Sequence, residues 1–203
     1  MRKKSHISLA GYLVRELRLQ ELVKYKKAFY LGSILPDLNP KMVKEPHEIE
    51  TSFEKFKDSI CRLIQDAKSG TCNGRVFWRK LGMVIHYLAD YFTFPHNTAY
   101  DGNLKDHCVY EGDMKYQMRE YVRTPEAKRI FLDQREQAFR ISSEEALFAY
   151  IKGAHECYLA GRHCVVEDCR WILEMSAVVL VAMLRMINEE YVHSLNGLCY
   201  AAA

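Results

Sequence analysis

The sequence predicts an all-α fold, and three observations lead there. Apolar residues recur at helical spacing in every long segment. No stretch alternates strictly between apolar and polar for more than a few residues, as a half-buried strand would. Cap and stop signals punctuate the chain where those segments begin and end. At 203 residues, 49% hydrophobic and 12% aromatic, the chain can bury a sizeable core and is expected to form one domain over residues 1–203.

Each element follows from its own pattern. A first helix is expected from about Ser8 to Lys24, with Ala10, Leu13, Val14 and Leu17 on one stripe. The run from Phe29 to Pro40 carries Gly32, Pro36 and Pro40, which reads as a turn or broken helix with Asp37 on a loop. A second helix follows His47, where Ile49, Phe53, Phe56, Ile60, Leu63 and Ile64 form a stripe that stops before Ser69-Gly70. A third spans about Arg75 to Phe92, with Phe77, Leu81, Val84, Ile85 and Leu88 beside His86 and Asp90. Pro95 ends it and leaves His96 in the following turn. A fourth carries His107, Glu111, Met114, Met118 and Tyr121 on one inward face. Beyond Arg123 the chain reads as scaffold. Thr124-Pro125-Glu126 and Ser142-Ser143-Glu144-Glu145 are cap signals, and helices are expected over about residues 125–139, 143–160 and 164–192, ending near Asn196-Gly197.

Composition removes several classes of function. Net charge is only +3, and the run Arg2-Lys3-Lys4 is too short to be a nucleic-acid footprint. Seven cysteines, an odd number without regular spacing, argue against a disulfide framework, and residues 5–25 are too charged for a secretory core. A reducing cytoplasm is therefore expected. The most apolar stretch, Trp171 to Ile187, includes Glu174 and Arg185 and falls short of the roughly 20 apolar residues that span a bilayer, so it reads as a buried core helix.

Between Ser5 and Glu111 five histidines and three acids stand in the pattern of a multinuclear metal site: His6, Asp37, His47, His86, Asp90, His96, His107 and Glu111. The pairs His86/Asp90 and His107/Glu111 are four residues apart, which sets both side chains of each pair on one helix face. Imidazole and carboxylate together suit zinc. A second group, His155, Cys157, His163, Cys164 and Cys169, falls within fifteen residues. It reads as buried thiols and locally bonded imidazoles rather than a structural zinc site.

These residues resemble the zinc-dependent phospholipase C enzymes of bacteria, whose helical fold is shared with single-strand nucleases of the S1/P1 type. The resemblance rests on Ser5-His6, the Gly32-Ser33-Ile34-Leu35-Pro36-Asp37 turn, Pro46-His47, His86 to Asp90 with Pro95-His96, and Asp106-His107 with Glu111, and spans about residues 5–115. It implies one zinc held by Asp37, His47, His86 and Asp90, and a second held by His96, His107 and Glu111. In the family a third zinc is bridged to the first by the acid here at Asp90. It is bound by the histidine here at His6, together with the amine and carbonyl of an N-terminal tryptophan. This chain departs there, with Met1 at its start and His6 only five residues on, so two or three ions are expected.

The implied activity is hydrolysis of a phosphoester by a metal-activated water. Asp37 is the family's proposed base, and base and ligand roles both stay open for it. The family's choline-binding acid and its aromatic after the loop aspartate are replaced by Lys4 and Leu38, so a phosphatidylcholine preference is not implied. The expected partner is a phosphoester substrate, including a phospholipid at a membrane surface, with no nucleic acid. Phe29, Tyr30, Tyr91, Phe92 and Phe94 read as core before they read as an apolar mouth. The rival readings are a nuclease of the related kind and a metal-stapled helical interaction domain without activity.

Overall fold

The computed structural model describes residues 1–42 and 47–188. They form α1 (Lys3–Leu17), α2 (Gln20–Lys24), α3 (Lys26–Leu38), α4 (Ile49–Lys68), α5 (Gly74–Tyr91), a 3-10 turn (Phe94–His96), α6 (Leu104–Tyr121), α7 (Pro125–Arg140), α8 (Glu144–Leu159) and α9 (Val165–Ile187). There is no strand among the described residues, so the all-α expectation holds.

The centre of the fold is α9. Every residue from Met175 to Leu184 is buried, and α4, α5, α6, α7 and α8 all pack against it. The expected core-helix reading of this stretch is therefore correct, and no described helix is long and apolar enough to cross a membrane. The predicted end of this helix near residue 192, and Asn196-Gly197, lie outside the described residues.

The closest helix pairing is α3 against α5, and two glycines make it possible. A Cβ at Gly32 would fall on the backbone carbonyl of Arg79, and one at Gly82 would fall on the carbonyl of Phe29, far inside van der Waals contact. Backbone thus meets backbone, and the end of α3 is carried up against the middle of α5.

Two expectations need correction. The predicted first helix begins five residues earlier than expected and stops at Leu17. Arg18 turns the chain with a left-handed backbone, φ 50°, which no glycine announces. Asp37 is not on a loop but in the last turn of α3, with Pro36 inside the helix. A proline this close to a helix end removes a single backbone hydrogen bond, and the packing of α3 on α5 outweighs that loss.

The remaining elements follow the sequence closely. Thr124 and Ser143 cap α7 and α8 by accepting from the backbone of Ala127 and Ala146. Asn103 and Asp106 form a reciprocal capping box that starts α6 one turn before His107. Phe29, Tyr91 and Phe92 are fully buried and Tyr30 and Phe94 are half-buried, which fits the core reading of those aromatics.

Candidate metal centre

All eight side chains singled out in the sequence converge on one region, at the junction of α1, α3, the approach to α4, α5, the 3-10 turn and α6. Asp90 is its hub. One oxygen, Oδ2, lies 2.9 Å from His47 Nδ1 and 3.2 Å from His86 Nε2. The other, Oδ1, lies 3.4 Å from His6 Nε2. Asp37 Oδ1 approaches His86 Nε2 at 3.9 Å. A few ångströms away, Glu111 Oε1 is 3.3 Å from His96 Nε2 and 3.4 Å from His107 Nε2. Three sets of ligand atoms each fall within 4.8 Å of one another: His6, Asp37 and His86; His47, His86 and Asp90; and His96, His107 and Glu111.

The sequence reading treats the N-terminal amine of the family's third site as a point of departure, yet the Met1 amine lies between these sets. The Met1 amino group is buried 2.6 Å from Asp90 Oδ1, 2.9 Å from His96 Nε2 and 3.2 Å from Glu111 Oε1. Burial opposes its charge, but Asp90 and then Glu111 more than offset that, and the amine is held above its ordinary value. A cation thus sits where three acceptors from three elements meet.

The imidazoles are arranged as ligands of a positive charge. His86 donates its Nδ1 hydrogen to the Ser33 carbonyl at 2.9 Å, because a carbonyl can only accept. That fixes the tautomer and leaves Nε2 as a lone pair aimed between Asp37 and Asp90. His47 directs Nδ1 at Asp90 and is left with a buried Nε2 that has no hydrogen-bond partner. Both nitrogens of His6 are in the same condition, and its ring stacks on His86 with centroids 4.0 Å apart. Burial, helped by His86, pushes His6 down to about 3, so it is neutral near pH 7. Orphaned buried nitrogens on three neighbouring histidines are costly unless something accepts their lone pairs. The donor set therefore fits divalent zinc.

The acids differ from one another in a useful way. Burial raises Asp90, but the Met1 amine and the surrounding histidines outweigh it and hold the carboxyl well below its usual range. Glu111 is brought down to about 2, where burial is overcome by its close approach to the His96 ring and by the charge of Met1. Asp37 goes the other way, raised by burial, and it is the most exposed of the three carboxylates. It is the acid best able to take up a proton from a group in the site.

Behind His96 and Glu111 lies a support that the sequence reading missed. Asp168, fully buried at the first turn of α9, accepts from the backbone N–H of Phe94 at 2.9 Å and from the hydroxyls of Tyr110 and Tyr158, both at 2.8 Å. Phe94 opens the 3-10 turn that carries His96, and Tyr110 precedes Glu111 on α6. A signal was present: Asp168 falls on the stripe of Ile172 and Met175, where an acid needs partners. Nearby, His155 bonds Asn97 at 2.8 Å, and His163 bonds the Leu159 carbonyl at 3.1 Å while stacking on Phe94. Both imidazoles are thus bonded locally, as expected of that second group, but its thiols are not all buried as expected: Cys169 is, whereas Cys164 is half-buried and Cys157 is exposed.

The family model for zinc dependent phospholipase C matches residues 5–164. No curated protein and no solved structure matches the chain. The match takes in the whole histidine and carboxylate cluster except Met1, together with the scaffold through α8. On that match over most of its length, the chain belongs to the zinc-dependent phospholipase C family.

Proposed function

We propose that this protein is a zinc-dependent phosphodiester hydrolase of phospholipase C type. The observation that carries the reading is the convergence of eight ligand-type side chains, with the buried imidazole nitrogens of His6, His47 and His86 left without hydrogen-bond partners. Family membership supplies the metal and the reaction class. His47, His86 and Asp90, with Asp37 alongside, would hold one ion. His96, His107 and Glu111 would hold a second. His6 and Asp90, beside the Met1 amine, offer ligands for a third.

Zinc bound there supplies positive charge for phosphate oxygens and a depressed water pKa, toward about 7. The chain's own residues do the rest. His86 is held in its ligating tautomer by the Ser33 carbonyl. Asp90 stays ionised and ties the two halves of the site together. Asp37, raised by burial and open to solvent on one side, orients the attacking water and accepts its proton.

The test is zinc content and hydrolysis of a phosphodiester on the same preparation. Two or three ions per chain are expected, with one lost in His86→Ala and another in His107→Ala, and turnover falling with each. Asp37→Asn is expected to lower kcat by about 10²- to 10⁴-fold while the protein keeps its zinc, as removal of a general base does. Loss of zinc in that variant would make Asp37 a ligand only. A fully loaded protein that cleaves neither a soluble phosphodiester nor a phospholipid would refute the enzymatic reading.

A further inference from the structure

A cleft of about 590 Å³ opens between α4 and α5. The two helices run antiparallel there, since Ser52 meets Tyr91 at one end at 2.8 Å and Asp66 meets Lys80 at the other at 2.9 Å. The cleft therefore follows α5 from Lys80 to Tyr91, about 16 Å at 1.5 Å per residue. One end adjoins the metal centre. The Tyr87 ring lines the cleft and also stands edge-on to His47 and His86, with centroids 5.0 and 5.5 Å away. A group leaving the histidine cluster past Tyr87 thus enters the cleft directly.

The lining says what would lie there. Phe56, Leu63 and Val84 make a buried apolar floor, and Met42 and Met83 add half-buried thioether side chains that adapt to what they meet. Four hydroxyls along the cleft are already committed. Thr51 and Ser52 donate to the Glu48 carbonyl and Ser59 to the Lys55 carbonyl. With the Ser52 hydrogen engaged, Tyr91 donates to Ser52. No acid is among the described lining residues, so nothing there receives a cationic group, and Lys80 at the far end is already paired with Asp66. The volume is that of a small-molecule site, but a sugar, a base or a peptide backbone would find few hydrogen-bond partners in it. A hydrocarbon chain needs none.

We infer that the cleft between α4 and α5 takes one hydrocarbon chain of a lipid phosphoester, running from the metal centre past Tyr87 toward Arg62 and Lys80. The inference rests on the phospholipase C reading and narrows its substrate to an ester with at least one acyl or alkyl chain. With the phosphate at the histidine cluster, successive methylenes leave water against the apolar floor, so the protein reads the length of the chain.

Two measurements on the full, zinc-loaded chain test this. One is binding of dansylundecanoate, read by its fluorescence with no turnover involved. The other is kcat/KM for lysophospholipids of one headgroup with hexanoyl, octanoyl and decanoyl chains, below the concentrations at which they aggregate. One probe per protein is expected, and kcat/KM is expected to rise by about threefold per methylene, close to the value of a fully buried one. Ser59→Trp sends a ring into the cleft from an exposed position of α4, half way between Ser52 and Asp66. It is expected to weaken probe binding by about tenfold, as the loss of two buried methylenes would, and to flatten the chain-length series. Ser59→Ala removes only a hydroxyl that serves its own helix and is expected to bind the probe as the parent does. Zinc content is expected to be equal in all three proteins, which separates a blocked cleft from a damaged fold. A parent that leaves the probe free, a flat series in the parent, or a Ser59→Trp protein that binds as tightly as Ser59→Ala would overturn the inference. Probe binding that Ser59→Trp blocks, in a protein that cleaves no phosphodiester, would keep the cleft as a chain site and remove the catalytic reading instead.

Discussion

Tyr110 donates its phenolic hydrogen to Asp168 across 2.8 Å and thereby fastens α6 to α9 directly behind Glu111. The same carboxylate oxygen accepts from the Phe94 backbone, so one atom fixes both the helix carrying His107 and Glu111 and the turn carrying His96. Ligands drawn from two separate elements bind an ion well only when those elements hold a fixed separation. Tyr110→Phe removes the bond and keeps the ring. It is expected to weaken zinc at the His96, His107 and Glu111 site by about 10- to 100-fold, as loss of a supporting partner does elsewhere, and to leave the His47, His86 and Asp90 site unchanged. Competitive zinc titration resolves the two, and an equal loss at both sites would count against a role confined to the second.

Asp168 also imposes a pH dependence on folding. Its burial raises the carboxyl to about 6 from an ordinary 3.8, although the hydrogen bonds from Phe94, Tyr158 and Tyr110 pull the other way. Below about 4 the group is neutral in both folded and unfolded chains and carries no penalty. Between about 4 and about 6 the unfolded chain ionises first, so the folded state loses stability as pH rises, by about 3 kcal/mol in all. Asp168→Asn cannot ionise. Denaturant unfolding of both proteins at intervals from pH 4 to pH 7 should show the parent losing ground to the variant through this window and then running parallel. Two parallel curves throughout would mean that the three donors keep the carboxylate ionised at its ordinary value.

Most of the site was legible in the sequence because its chemistry is written in residue types and helical spacing. His86 with Asp90, and His107 with Glu111, needed only the rule that four residues make about one turn, and α5 and α6 present them so. Asp37 was recognised as a site residue but given the wrong backbone. A proline tolerated near a helix end looks in sequence like a proline that ends one, and only the packing of α3 on α5 distinguishes the two. Met1 was read as a departure from the family's N-terminal amine because His6 follows it so closely, and its burial in the site depends on α1 starting as early as Lys3. Asp168 was visible as an acid on an apolar stripe, but its partners come from residues 94, 110 and 158, distances that periodicity cannot see. Local pattern and family resemblance therefore gave the candidate ligands, while what holds them in place came from contacts between distant segments.

The crossing of α3 and α5 is where that tertiary information is concentrated, and a pair of glycine substitutions tests it. At Gly82 a methyl group would fall on the Phe29 carbonyl and within 2.9 Å of the Ser33 nitrogen, both backbone atoms that cannot swing aside. Gly82→Ala is expected to cost about 3 kcal/mol, the upper end for an overpacked contact, because the helices must separate. Separation would draw both Ser33 and Asp37 from His86, so zinc affinity at the first site should fall with stability. Gly153, exposed on α8 with nothing within 4 Å of a new methyl, provides the opposite case. Gly153→Ala is expected to stabilise the protein by about 1 kcal/mol, through helix propensity alone, and to leave zinc binding unchanged. Chemical denaturation of the two variants reads both signs. If Gly82→Ala proved as harmless as Gly153→Ala, backbone contact would not be what brings Asp37 to His86, and side-chain packing along α5 would have to do it.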